Sequence, residues 1–179
     1  MQREQAKAVA DPAILNPAYF SRDRQMDLCA WCHGGHGLPL QPSFSYLPGE
    51  PLEKFINLPK PDPTAPLDVH GNQVETLKQS RCFIQSSMTC LTCHNVHVAQ
   101  HDLTQFSQRC LGCHQANSAT FSKPDHPVSN NCIDCHMPRQ ETNLIVFTFA
   151  GRQVRPKMRN HWIRVYSGPV FNKDTPTNP

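Results

Sequence analysis

From Cys90 to His136 the chain reads CLTCHNVHVAQHDLTQFSQRCLGCHQANSATFSKPDHPVSNNCIDCH. Three Cys-x-x-Cys-His units stand in this stretch: Cys90/Cys93/His94, Cys110/Cys113/His114 and Cys132/Cys135/His136. A fourth, Cys29/Cys32/His33, lies upstream, so the four units account for eight of the nine cysteines. With ten histidines in 179 residues, chance places one after all four pairs about once in a hundred thousand. Cys-x-x-Cys-His is the attachment signature of c-type haem. The two thiols form thioethers to the porphyrin vinyl groups, and the adjacent imidazole reaches the iron as proximal ligand. That spacing lets one turn of chain offer two sulfurs to a porphyrin edge and a nitrogen to its face. Two four-Cys zinc ribbons are the competing reading of the same pairs. Zinc leaves the four adjacent histidines without a role, and so does a disulfide framework.

Four haems also explain the composition. The chain is 38% apolar with 17 prolines and 8 glycines, and its mean hydropathy is −0.52. Such a sequence is poorly supplied for a core made of side chains alone. Four macrocycles act as buried apolar mass, each wrapped by about 45 residues of a domain-sized chain. The longest apolar stretch, residues 144–150, is far below the 18 or more residues of a membrane span. The formal charge is +3. With two propionates per haem and one net positive charge per ferric centre, it becomes about −1 oxidised and about −5 reduced. Neither value suggests a nucleic-acid surface.

The first cysteines of the motifs stand 61, 20 and 22 residues apart. The expected organisation is one tetrahaem domain over 1–179. Within it lie a first haem segment (1–37), a Pro-rich wrapping segment (38–73), a compact three-haem segment (74–166) and a C-terminal tail (167–179). Eight prolines in residues 39–66 block helix and central strand alike. Ser21, with acidic Asp23 behind it, starts a helix running into Cys29. Residues 74–87, free of Pro and Gly, predict a second helix, and 104–110 a third. Residues 144–149 read as a short strand entering a turn at Ala150-Gly151. The fold class expected is mainly α with extensive coil and little β, a small multihaem cytochrome c fold.

Six histidines lie outside the motifs: His36, His70, His97, His101, His126 and His161. Their surplus over four irons favours bis-His, low-potential haems over pairing with Met26, Met88, Met137 or Met158. His97 follows His94 too closely to reach the other face of the same haem, so as a ligand it serves a neighbour. His36 stands in the same relation to His33, on a looser Gly-rich backbone, and is a further distal candidate. For each of these the alternative is a solvated or capping side chain, and His101, between Gln100 and Asp102, reads most simply that way. Cys82 reads as a small buried side chain, the alternatives being an intermolecular disulfide or an extra haem contact.

The stretch Ser87-Met88-Thr89-Cys90-Leu91-Thr92-Cys93-His94-Asn95-Val96-His97 resembles a motif of tetrahaem cytochromes of the cytochrome c-554-like family. So does Cys132-Ile133-Asp134-Cys135-His136-Met137-Pro138-Arg139, followed by Asn160-His161-Trp162-Ile163. The match spans residues 26–166. It implies electron transfer through closely packed, mostly bis-His haems, with His70, His97, His126 and His161 as distal ligands by position. Gly34-Gly35-His36-Gly37 departs from the family pattern. Covalent haem is attached outside the cytoplasm, whereas residues 1–10 carry no apolar signal-peptide core. The expectation is therefore a mature chain or fragment of an exported bacterial or archaeal protein, periplasmic or extracellular. The leading function is electron transfer between redox partner proteins. The alternatives are a subunit of a polymeric extracellular cytochrome filament built on identical subunits, a haem enzyme with one open iron, or a fixed subunit of a membrane-bound complex.

Overall fold

Ser21 caps the longest helix of the computed structural model, which describes residues 14–60, 62, 72–114, 131–142 and 145–166. Helix α1 (Arg22–His33) begins where the Ser21 hydroxyl accepts from the Arg24 N–H at 3.4 Å, with Asp23 in its first turn. It runs through the whole first motif rather than stopping at it. Met26 and Ala30, one turn apart, are its buried face. They join Tyr46, Leu52, Val74, Leu77 and Phe83 in one apolar cluster.

The Pro-rich segment wraps onto α1. Strand β1 (Leu38–Pro39) pairs antiparallel with β2 (Ile56–Asn57), and a 3-10 turn at Leu52–Lys54 lies just before β2. The Leu52 N–H donates to the Asp27 carboxylate at 3.2 Å, and Arg24 pairs with the same oxygen. Tyr46 packs between Trp31 and Phe55, with ring centroids 5.1 and 5.5 Å away. The glycines after His33 make this closure possible. A Cβ on Gly34 would stand 2.5 Å from the Ala30 carbonyl oxygen, and one on Gly37 2.5 Å from Ile56. Close approach explains Gly34 and Gly37, and a φ of 87° explains Gly35.

The helix expected over 74–87 is two helices, α2 (Gln73–Lys78) and α3 (Arg81–Ile84). The chain turns out of helix at Ser80, which has extended backbone angles and is fully buried. Helix α4 (Cys90–Cys93) is a single turn opened by a Thr89/Thr92 capping box. Helix α5 (Leu103–Leu111) starts at Asp102, whose carboxylate accepts from the Thr104 N–H at 2.8 Å. Helix α6 (Cys132–His136) follows Asn131.

Two nested hairpins end the described chain. Strand β3 (Arg139–Glu141) pairs antiparallel with β6 (Lys157–Arg159), and between them β4 (Phe147–Phe149) pairs with β5 (Arg152–Val154). Ala150 and Gly151 have φ of 49° and 76°, the left-handed pair that a two-residue hairpin turn requires. This strand is shorter than the one expected; residue 144 lies outside the described residues. Helix makes up 37% and strand 13% of the described residues, so half of them are coil and turn. None of the described helices is long and apolar enough to cross a membrane.

Candidate haem-attachment sites

All four motifs are built on one helical turn. Cys29, Cys32 and His33 end α1, Cys90 and Cys93 bound α4, Cys110 is the next-to-last residue of α5 with Cys113 and His114 in the turn that follows, and Cys132 to His136 form α6. The His94 N–H donates to the Cys90 carbonyl at 2.9 Å, and the His114 N–H to that of Cys110 at 2.8 Å. Both sulfurs of a pair are thereby presented from neighbouring positions, as two thioether bonds to one ring require. No two of the nine cysteines are joined as a disulfide. Cys32, Cys113 and Cys135 are exposed, and the other five motif cysteines are partly buried.

The motifs follow one another in space. The Cys29 and Cys90 thiols interact, which lowers Cys29 to about 7 and raises Cys90. Cys90 also lies 3.8 Å from the Met26 sulfur. Arg22 holds this junction: its guanidinium donates to the Phe83 and Met88 carbonyls at 2.6 and 2.9 Å and lies 4.0 Å over the Phe83 ring. So the first motif, 61 residues away in sequence, meets the second. Helix α4 packs on α5, and α5 on α6. The Ser107 hydroxyl accepts from the Cys132 N–H at 3.0 Å. Burial raises Cys93, and burial pushes Cys110 up to about 12, with the charge of Cys132 next in weight. Cys82 lies in the same neighbourhood: burial raises its thiol, and its charge adds to the rise at Cys93 and Cys110.

Two histidines have their Nδ1 atoms tied to backbone carbonyls. His136 Nδ1 lies 2.9 Å from the Arg164 oxygen, and His161 Nδ1 lies 3.1 Å from the Arg159 oxygen. Burial pushes His161 down to about 4, holding its imidazole neutral near pH 7. The His161 and His94 rings are 6.2 Å apart with planes 28° from parallel, and Phe106 packs against His94 at 5.2 Å. Arg159 fixes this strand to the fourth motif, donating to the Ile133 and Met137 carbonyls at 3.3 and 2.8 Å and to Asp134 at 2.9 Å.

Of the remaining distal candidates, His36 is exposed beside Gly37, and His97 is exposed on the turn Asn95–Val98. His101 is exposed too. His70 and His126 lie outside the described residues. Sequence reasoning missed Ser80, whose hydroxyl donates to the His161 carbonyl at 3.2 Å and accepts from the Ile163 N–H at 2.7 Å. The signal was present, since Ser80 precedes Arg81 as a preferred N-cap residue and marks a helix start inside the apparent single helix.

No four-Cys zinc cluster is assembled among the described residues. Among the described residues no three His, Cys, Asp or Glu side chains converge as a metal-holding group, which two Cys pairs sharing a zinc ion would have to do. Thioether attachment asks only for a pair and its histidine. No family model, curated protein or solved structure matches the chain.

Proposed function

We propose that this chain is an exported tetrahaem c-type cytochrome that carries electrons along four haems between redox partners. The observation that supports this most is the unbroken succession of four Cys-x-x-Cys-His turns, first beside second, second beside third, third beside fourth. Cys29/Cys32, Cys90/Cys93, Cys110/Cys113 and Cys132/Cys135 hold the groups covalently, and His33, His94, His114 and His136 supply the proximal nitrogens. When bound, haem supplies reversible one-electron chemistry at iron, tuned by axial ligand and burial.

The chain's own part is positional. Covalent attachment at two points fixes each ring edge relative to one helical turn. The packing of α4 on α5 and of α5 on α6 then fixes three attachment turns relative to each other, and Arg22 fixes the first to the second. The Nδ1 ties at His136 and His161 set ring orientation and tautomer, leaving Nε2 as the nitrogen available to a metal. Six histidines outside the motifs are enough to fill the second axial position of four irons, which favours electron transfer over catalysis at an open iron.

A spectroelectrochemical titration of the purified holoprotein tests the reading. Uptake of four electrons per chain, with the α-band of reduced c-type haem, is the expected result. Fewer electrons, or a chain purified with zinc and no haem band, overturns it.

A further inference from the structure

We infer that His161 is the second axial ligand of the iron whose proximal ligand is His94, and that Ser80 is the residue that positions it. The inference rests on the tetrahaem reading above and adds what sequence spacing leaves open, namely which distal histidine serves which haem.

Transition metal–imidazole bonds run about 2.0–2.1 Å; with about 1.1 Å from nitrogen to ring centre on each side, two axial rings stand about 6.2–6.4 Å apart. The observed separation of the His94 and His161 centroids is 6.2 Å. Distance alone does not decide, because ordinary aromatic pairs occupy the same range. The Nδ1 contact adds a second mark. A metal-ligating histidine characteristically gives its second ring nitrogen to a carbonyl or carboxylate, and His161 Nδ1 meets the Arg159 carbonyl at 3.1 Å. A buried imidazole needs a partner for its ring nitrogen in any case, so it is the tie together with the 6.2 Å spacing opposite a motif histidine that carries the assignment.

The backbone around His161 is held from both sides. Ser80, with no exposed surface, donates to the His161 carbonyl and accepts from the Ile163 N–H. It thus brackets the ligand's residue across 81 positions of sequence. The same serine interrupts the helix between α2 and α3, so its departure from helical geometry has a structural use. On the other side, Asn160 Oδ1 accepts from the Trp162 N–H at 2.8 Å, and the Asn160 amide donates to Gln140 at 2.9 Å. The Tyr166 hydroxyl closes the segment by donating to the Trp162 carbonyl at 2.7 Å.

The test uses the matured holoprotein and its His161→Ala, Ser80→Ala and Cys90→Ala/Cys93→Ala variants. Intact mass counts haems, and optical and electron paramagnetic resonance spectra count high-spin irons. His161→Ala should retain four haems, turn about one quarter of the iron high spin, and return to low spin on adding imidazole. Combining it with Cys90→Ala/Cys93→Ala, which removes the second haem, should leave the remaining three low spin. Ser80→Ala should keep four haems and convert part of one haem to high spin, a change imidazole reverses. Four low-spin haems in His161→Ala, or a high-spin iron in the combined variant, overturns the ligand assignment. An unaltered spectrum in Ser80→Ala overturns the positioning role. Absence of haem from the unmutated chain overturns the tetrahaem reading instead, a distinct result.

Discussion

Residues 22–83 and residues 84–166 of this chain bury themselves by different means. The first region carries Met26, Ala30, Tyr46, Leu52, Val74, Leu77 and Phe83 in one cluster, tied by Leu52 to Asp27 and by Arg22 to Phe83. In the second, the buried apolar residues among those described are Ile133, Pro138 and Tyr166. Beside them the buried positions are largely polar, Ser107, Thr142 and Asn160, each engaged in hydrogen bonding or another contact. Yet the second region holds three of the four haem motifs. The contrast teaches that side-chain burial and the Cys-x-x-Cys-His turns are spread unevenly along the chain. One region can pack on itself, and the other, on the function proposed above, would be organised around covalently held haems.

The largest expected effect follows from withholding haem. In chain produced without haem attachment, hydrogen exchange should leave amides of 22–83 protected and those of 84–166 largely unprotected, since stability is distributed unevenly where burial is uneven. Equal protection of both regions contradicts the division. Next in size is Met26→Ala, a buried side chain in the first cluster, expected to cost about 2–5 kcal/mol. Chemical unfolding of the holoprotein should show that loss in the transition of the first region, with haem count unchanged.

Arg22→Ala should cost about 1–3 kcal/mol, because two buried carbonyls lose a charged donor. Its diagnostic effect is on the join: exchange should rise at Phe83 and Met88 and the spectrum of the second haem should shift. A loss of stability confined to α1 would mean that the two regions are not coupled through this guanidinium. The smallest effect belongs to Phe149→Ser. Phe149 is 77% exposed on the β4–β5 hairpin, so the change in unfolding free energy should stay within about 0.5 kcal/mol. A larger loss would show that the hairpin is packed on something in solution.

Local turns were more legible in the sequence than packing was. Each Cys-x-x-Cys-His turn could be read directly, because cysteine and histidine spacing within five residues is a local property. Ser21 and the Ala150-Gly151 turn were equally local, and the structure places a helix start and a hairpin turn there. What escaped depends on distance along the chain. Residues 74–87 contain no proline or glycine, so beyond the serine at 80, a preferred N-cap type, nothing local marks the break there. It follows from bonds to residues 161 and 163. The pairing of β3 with β6 and the approach of Cys29 to Cys90 are non-local in the same way. The Gly34-Gly35-His36-Gly37 stretch stood out in the sequence, while its cause, an Ala30 carbonyl and an Ile56 side chain at contact distance, belongs to the folded chain.

Everything above turns on whether four haems are covalently attached. Intact mass spectrometry of the denatured protein, purified from a host that exports it and attaches haem, answers that directly. Denaturation strips any group held by coordination alone, while thioether bonds survive. The mass should exceed that of the polypeptide by four haem groups, and peptide mapping should place one on each Cys-x-x-Cys-His turn. A mass equal to the bare polypeptide, from a host shown to mature another c-type cytochrome, would contradict the tetrahaem reading and everything built on it.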